Sequence, residues 1–139
     1  MASRFVRGAL PGHERVATLT FEPADARAVL DVDALESLLG AVDALRGEPN
    51  VEAVALFGAR DDLFAAGADL DALARLSPVD AERFADLGRS VLAAWETLHA
   101  TTVAVVRGAC YGGALDLVLS TDVVVAFETA RFAHPGVHR

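Results

Sequence analysis

The chain has 139 residues, a formal net charge of −8 at pH 7 and a hydrophobic content of 53%. This size and composition predict one globular domain, and the negative charge argues against nucleic acid or an anionic membrane as the main partner. All twelve basic residues are arginines. A Schiff-base lysine and the phosphate-binding lysine of a P-loop are therefore excluded.

The only cysteine is Cys110, which rules out an internal disulfide framework and suits a reducing compartment. No histidine or aspartate pattern supports a nucleophilic role for this thiol, and a small apolar residue fits a packed loop. Residues 1–7 carry charge without a following apolar run, unlike a secretory signal. The longest apolar run, 123–127, is too short to span a bilayer. We expect a cytoplasmic protein with no membrane partner.

The hydrophobic pattern predicts an alternation of strands and helices. In chain order, the predicted elements are a strand at 15–21, a helix at 32–46, a strand at 51–58, helices at 70–76 and 78–98, a strand at 102–107, a helix at 113–120, a strand at 123–127 and a short extended piece at 130–132. This order is typical of an α/β fold, a parallel sheet with helical crossovers. We expect the last three long strands to be buried, although few helices remain to cover the second face of the sheet.

Two loops rich in small residues follow predicted strands and open predicted helices. Loop one is 63–70 and loop two is 108–116. In a parallel sheet both lie at the carboxyl edge, where small residues let a ligand approach the backbone N–H groups at a helix start. Two such donors can hold a developing oxyanion. Close packing of helix on sheet would explain either loop alone equally well, and neither loop matches a P-loop or a dinucleotide-binding motif.

The combination is more specific than either loop. Phe-x-Ala-Gly-Ala-Asp-Leu (64–70), a strand ending in glycine, Gly-Gly-x-x-Asp-Leu (112–117) and Thr-Asp-Val-Val-Val-Ala (121–126) occur in this order. Residues 15–136 thereby resemble the amino-terminal part of the enoyl-CoA hydratase/isomerase (crotonase) family. The resemblance implies a crotonase-like (ClpP/crotonase) fold over residues 1–139, a single incomplete domain truncated before the carboxy-terminal helical region.

The resemblance also implies a site. It places the two oxyanion-hole donors on the backbone N–H groups of Ala68 and Gly113, and an acid–base carboxylate on Asp116. The loop that faces the adenine and pantetheine of CoA falls on 66–70. The residues expected to bind the substrate are Ala66, Gly67, Asp69, Leu70, Arg27, Gly112 and Tyr111. For Arg27 a phosphate contact and a plain surface position both stay open, and Tyr111 either lines the acyl pocket or packs.

The number of carboxylates in the expected site bears on which reaction the chain could catalyse. Asp116 follows Gly113 by one helical turn, which suits general acid–base catalysis, although an acid in a first helical turn also favours the helix dipole. The second family carboxylate follows a proline, and here Gly136 takes that place after Pro135. Hydration normally uses two carboxylates, so a single one better suits isomerisation or decarboxylation. The nearby His134 and His138 lack a third ligand for a metal, and a solvated terminal pair explains them as well.

These observations predict an acyl-CoA-binding enzyme that stabilises a thioester enolate. No cofactor and no metal are implied, because CoA is part of the substrate. The family resemblance implies a homotrimer or hexamer. The alternative is an acyl-CoA-binding fragment that is not catalytic by itself and needs a partner chain.

Overall fold

A computed structural model of the protein describes residues 1–135. Within that range the eight strands are β1 (Arg4–Leu10), β2 (His13–Glu22), β3 (Ala53–Phe57), β4 (Leu63–Ala65), β5 (Thr101–Val106), β6 (Ala109–Tyr111), β7 (Val123–Ala126) and β8 (Arg131–Ala133). The four helices are α1 (Val32–Arg46), α2 (Leu70–Leu73), α3 (Pro78–Glu96) and α4 (Gly113–Leu119).

Five strands form the larger sheet in the order β1-β2-β3-β5-β7. Strands β2, β3, β5 and β7 pair in parallel, and α1, α3 and α4 lie between them in the chain, so the predicted α/β class with helical crossovers is confirmed. Strand β1 was not predicted. It pairs antiparallel with β2 at the edge of the sheet, and most of its residues are exposed, so it lacks an apolar alternation.

Helix α1 has the predicted bounds. The Asp31 carboxylate accepts a hydrogen bond from the Ala34 N–H at 2.8 Å, which caps the first turn. Its apolar stripe packs on α3 and β1. The largest fully buried side chains of the core are Trp95, Phe21, Leu19, Leu38, Leu45 and Leu56.

The prediction that the strand at 123–127 is buried is wrong. Val123, Val124 and Val125 are 44%, 42% and 46% exposed, and Phe127 is 43% exposed. Consecutive strand residues point to opposite faces, so both faces of β7 are open. Within residues 1–135, β7 is an edge strand paired to β5, and no layer covers either face. The predicted incomplete covering of the sheet is found at this edge.

The start of β7 is fixed to β5 by Asp122. Its carboxylate accepts hydrogen bonds from the Thr102 N–H at 2.8 Å and from the Thr102 hydroxyl at 3.0 Å. These bonds lower the pKa of Asp122, because both stabilise the charged form.

A second, three-stranded sheet has the order β4-β6-β8, and all its strands are parallel. Strands β4 and β6 lie in segments that were predicted to be loops. Each has three residues, which is too short for a period-two pattern to stand out among small side chains. This small sheet determines where the two glycine loops lie.

Candidate functional site

The site is built on the carboxyl ends of the small sheet. Ala65 pairs with Cys110, and Tyr111 pairs with Ala133, so the residues that follow the three strands start side by side. The Gly112 N–H donates to the Ala133 carbonyl at 2.9 Å, which ties loop two to the end of β8. Ala68, Gly113 and His134, far apart in the sequence, are thereby brought to one edge.

Loop one is held from its other side by residues 28–30. The Ala66 N–H donates to the Ala28 carbonyl at 2.9 Å, and the Leu30 N–H donates to the Gly67 carbonyl at 2.6 Å. Ala28 has φ +51°, a left-handed conformation in which alanine is strained. The backbone of loop one is therefore fixed on both sides of Gly67.

Gly67 is the point at which the two loops touch. Its φ is +79°, and a Cβ built on it would lie 2.7 Å from the Tyr111 carbonyl oxygen and 3.0 Å from the Gly113 nitrogen. Both neighbours are backbone atoms, so neither can rotate away. Only glycine allows this approach, which places the chain before Ala68 directly against the start of α4.

Neither predicted donor has an acceptor among the described residues. Within residues 1–135, the N–H groups of Ala68 and Gly113 donate to no carbonyl and to no side chain. Gly113 is the first residue of α4, where an N–H has no partner inside the helix. An oxygen atom bound between the loops would satisfy both groups.

Two cavities meet at these donors. The inner cavity has a volume of about 140 Å³ and is lined by Leu30, Leu35, Ala68, Phe84, Gly88, Val91, Leu92, Gly113, Asp116 and Leu117. The outer cavity has a volume of about 180 Å³ and is lined by Ala66, Ala68, Leu70, Gly112, Gly113, His134 and Pro135. Ala68 and Gly113 line both, so they stand at the junction. Among the described residues, Asp116 is the only charged side chain that lines the inner cavity, and its other walls are apolar.

Arg27 lies beside loop one but does not line either cavity. It donates to Asp69 at 2.7 Å and to Asp25 at 2.8 Å, and 63% of its side chain is exposed. The Asp69 carboxylate also accepts from the N–H groups of Asp71 and Ala72 at the start of α2. The Ala72 N–H is the main cause that lowers the pKa of Asp69, with Arg27 adding to it, whereas Arg27 is the main cause that lowers the pKa of Asp25. The charge of Arg27 is thus shared between two carboxylates.

Tyr111 and Cys110 lie in the short strand β6, just before Gly112 and Gly113. Tyr111 contacts loop one through its backbone carbonyl, and its side chain is absent from the lining of the two cavities defined above. Cys110 is fully buried, and burial raises the pKa of its thiol to about 12. It therefore stays protonated at neutral pH and is no nucleophile. No cluster of three metal-ligating side chains is present in the described range.

Known protein families and curated sequences include clear relatives of this chain. A model of the family described as enoyl-CoA hydratase/isomerase matches residues 12–138. The chain belongs to the enoyl-CoA hydratase/isomerase family. The crotonyl-CoA hydratase of Syntrophomonas wolfei is 32% identical over 128 residues, 92% of this chain and 49% of that protein. The short-chain-enoyl-CoA hydratase of Clostridium acetobutylicum is 30% identical over 123 residues, 88% of this chain and 47% of that protein.

Solved structures of family members have the same fold. An enoyl-CoA hydratase from Bacillus anthracis superposes with a TM-score of 0.88 at 24% identity, over 97% of this chain and 52% of that one. An enoyl-CoA hydratase/isomerase from Xanthobacter autotrophicus Py2 gives a TM-score of 0.85 at 31% identity, over 99% of this chain and 51% of that one. The predicted crotonase-like fold is confirmed.

This family member spans about half the length of the curated relatives it matches. Within the described residues, no helix is long and apolar enough to cross a membrane. Two residues of the sequence-based hypothesis, Gly136 and His138, lie outside the described residues. The assignments of Ala68, Gly113, Asp116 and the substrate-binding residues stay predictions.

His134 is the site residue that the sequence left without a role. Its Nε2 lies 3.2 Å from Oδ2 of Asp116. The sequence signal was its place two residues before Gly136, where the second carboxylate was expected. His134 lies near Ala68 and Gly113 because β8 pairs with β6. A strand of three residues has too little alternation of apolar and polar residues to predict that pairing.

Proposed function

We propose that this chain binds an acyl-CoA thioester and stabilises its enolate, in a reaction of the enoyl-CoA hydratase/isomerase type. The observation that carries the proposal is the pair of N–H groups of Ala68 and Gly113, which find no acceptor within residues 1–135 and lie where two cavities meet. Backbone donors stabilise a thioester oxyanion without titrating. Loss of one such donor typically lowers kcat about 100- to 1,000-fold.

The two cavities suit the two sides of a thioester. The apolar inner cavity, of about 140 Å³, would hold the acyl chain, and the outer cavity beside Leu70 would receive the pantetheine. An apolar cavity of roughly 150 Å³ accepts a molecule the size of benzene. We therefore expect a short acyl chain. The names of two relatives, a crotonyl-CoA hydratase and a short-chain-enoyl-CoA hydratase, support the same size class.

Asp116 is the proposed acid–base group. Its carboxylate lines the inner cavity beside Gly113, where the α-carbon of a thioester would lie. Among residues 1–135 it is the only carboxylate that lines the two cavities, and in the sequence Gly136 takes the place where the family resemblance implies the second. A single carboxylate can carry a proton from one carbon of the substrate to another, as isomerisation requires. Hydration normally uses two carboxylates to position and deprotonate a water molecule. We expect isomerisation of a 3-enoyl-CoA to outpace hydration of a 2-enoyl-CoA.

The experiment compares Gly113→Pro with Gly113→Ala. Proline removes the N–H and is tolerated at the first position of a helix, which Gly113 occupies. Alanine keeps the N–H, and its Cβ would meet no atom within 4 Å. The measured rate is exchange of the α-hydrogens of butyryl-CoA in D₂O, followed by mass spectrometry, because removal of an α-hydrogen forms the enolate directly.

We expect Gly113→Pro to lower the exchange rate about 100- to 1,000-fold while Gly113→Ala changes it far less. Circular dichroism and calorimetry would show that both variants are folded. Equal rates for the proline variant and the wild type would refute the oxyanion assignment. Assays with 3-enoyl-CoA and crotonyl-CoA on the same preparations then compare isomerisation with hydration.

A second candidate function is acyl-CoA binding without turnover, by a chain that needs a partner. The exposed apolar faces of β7 favour it, because a strand of this kind is normally covered. Calorimetric titration with butyryl-CoA separates the two candidates. Binding with α-hydrogen exchange supports the enzyme, and binding without exchange supports the partner-dependent fragment.

A further inference from the structure

A histidine and an aspartate meet at the proposed site. His134 Nε2 and Asp116 Oδ2 are 3.2 Å apart, and they are contributed by different parts of the fold. Asp116 lies in the first turn of α4, and His134 directly follows β8. The hydrogen bond from the Gly112 N–H to the Ala133 carbonyl, at 2.9 Å, holds these two segments together one residue before each begins.

The direction of the hydrogen bond follows from its chemistry. An ionised carboxylate can only accept, so the Nε2 atom must carry the hydrogen and donate it to Asp116. In that form Oδ2 is occupied by the imidazole, and Oδ1 is left for another partner. The aspartate therefore has one oxygen that is held and one that is available.

The pair contributes little to the stability of the fold. The side chains of His134 and Asp116 are 40% and 49% exposed, and polar pairs that are exposed to this extent typically contribute little to stability. Their position is more informative than their strength. Asp116 lines the inner cavity, His134 lines the outer cavity, and both cavities share the two donors.

We infer that His134 is a positioning residue for the acid–base carboxylate: its Nε2–H holds Asp116 Oδ2 so that Oδ1 faces the α-carbon of the bound thioester. This inference rests on the proposed function. An aspartate has a rotatable side chain, and an exposed one samples several orientations. A fixed partner on a neighbouring strand end restricts that choice, and a displacement of about 1 Å at a reacting group can cost on the order of 100-fold in rate.

Three substitutions of His134 distinguish the role of its N–H donor from the role of the imidazole ring. His134→Gln keeps an N–H donor at the distance of Nε2, His134→Asn places its donor nearer the backbone, and His134→Ala removes it. We expect the α-hydrogen exchange of butyryl-CoA by the 139-residue chain to fall on the order of 100-fold in His134→Ala and His134→Asn, with substantial recovery in His134→Gln. The affinity for butyryl-CoA and the melting temperature should change little in all three.

A second measurement needs no turnover. In ¹⁵N-labelled protein, long-range ¹H–¹⁵N spectra report which ring nitrogen of His134 carries the hydrogen, and we expect Nε2–H in the wild type and a mixture in Asp116→Asn. Exchange by His134→Ala at the wild-type rate, exchange by His134→Gln as slow as by His134→Ala, or a ring state insensitive to Asp116→Asn would each overturn the inference. Failure of the proposed function looks different, because the wild type would then exchange no faster than buffer.

Discussion

Gly67 is the residue on which the geometry of the site depends most directly. It combines a φ of +79° with backbone atoms of the other loop at 2.7 and 3.0 Å from a built Cβ. Gly12, in the turn between β1 and β2, has nearly the same φ, +78°, but a Cβ there would meet nothing within 4 Å. The two glycines therefore have nearly the same φ, and they differ in whether a side chain would have room.

Substitution of these glycines by alanine tests the loop contact. Gly12→Ala should cost about 1–2 kcal/mol of unfolding free energy, which is the strain of a left-handed alanine. Gly67→Ala should cost about 1–3 kcal/mol more, because the two loops must move apart. Denaturant titrations measure both, and butyryl-CoA titrations should show weaker binding for Gly67→Ala alone. Equal costs and unchanged binding would mean that the loops adjust freely.

At the residue scale the sequence predicted which residues of the two loops lie together better than it predicted their contacts. Ala68, Gly113 and Asp116 follow from motifs whose order and spacing are visible in the chain, and the structure brings all three to one cavity. The pairing of His134 with Asp116 depends on the register between β6 and β8, which no local pattern encodes. For Arg27 the sequence left a phosphate contact and a surface position open; the structure adds its partners Asp25 and Asp69, an arrangement set by how loop one folds back.

At the scale of elements, α3 forms one wall of the inner cavity through Gly88. A glycine inside a helix costs roughly 0.5–1 kcal/mol relative to alanine, so its presence needs a reason. A Cβ at Gly88 would meet no atom within 4 Å, because it would project into open space. Gly40, within α1, has equally free surroundings but is exposed and lines neither cavity.

Leucine at these two positions separates stability from acyl recognition. Gly88→Leu and Gly40→Leu should each raise the unfolding free energy by about 0.5–1 kcal/mol, because leucine is a good helix former. Only Gly88→Leu should fill the inner cavity and weaken binding of hexanoyl-CoA more than binding of acetyl-CoA. Calorimetric titrations with both thioesters measure this ratio. An unchanged ratio in Gly88→Leu would place the acyl chain elsewhere.

The elements with strong periodicity were predicted well, and the shortest ones were not. Helix α1 has its predicted bounds because its leucine spacing and its Asp31 cap agree. Strands β4 and β6 read as loops because three small residues bury too little to form a pattern. The valines of β7 correctly predicted a strand but wrongly predicted that it is buried. Burial depends on the elements that pack on a strand, and the sequence of the strand alone does not determine them.

At the scale of the whole molecule, an apolar surface follows β7. Leu119 is 70% exposed and Phe132 is 44% exposed, and they add to the open valines of the strand. Exposed apolar residues on and near an edge strand favour association with other chains. We call this the β7 surface, made of Leu119, Val123, Val124, Val125, Phe127 and Phe132.

We expect the 139-residue chain alone to self-associate through the β7 surface. Val125→Glu should reduce this association, because it places a charge in the centre of the strand. Val79→Glu adds the same charge at a valine that is 58% exposed on α3, outside the β7 surface, and should leave the association unchanged. Sedimentation velocity measures the three proteins. A monomeric wild type, or equal effects of the two variants, would contradict the prediction.

The contact between Gly67 and loop two also bears on how the molecule folds. The two donors sit on segments that are separated in the chain by the whole of α3. They meet only after that long crossover has closed and the small sheet has formed, and closing such a loop costs entropy before any contact repays it. A partly unfolded chain that keeps α1 and the larger sheet would still lack the junction. A ligand that bridges the donors binds the complete native state alone, and mass action then favours that state over every partly open one. Occupancy of the proposed site would therefore suppress local opening throughout the small sheet as well as at the atoms that touch the ligand.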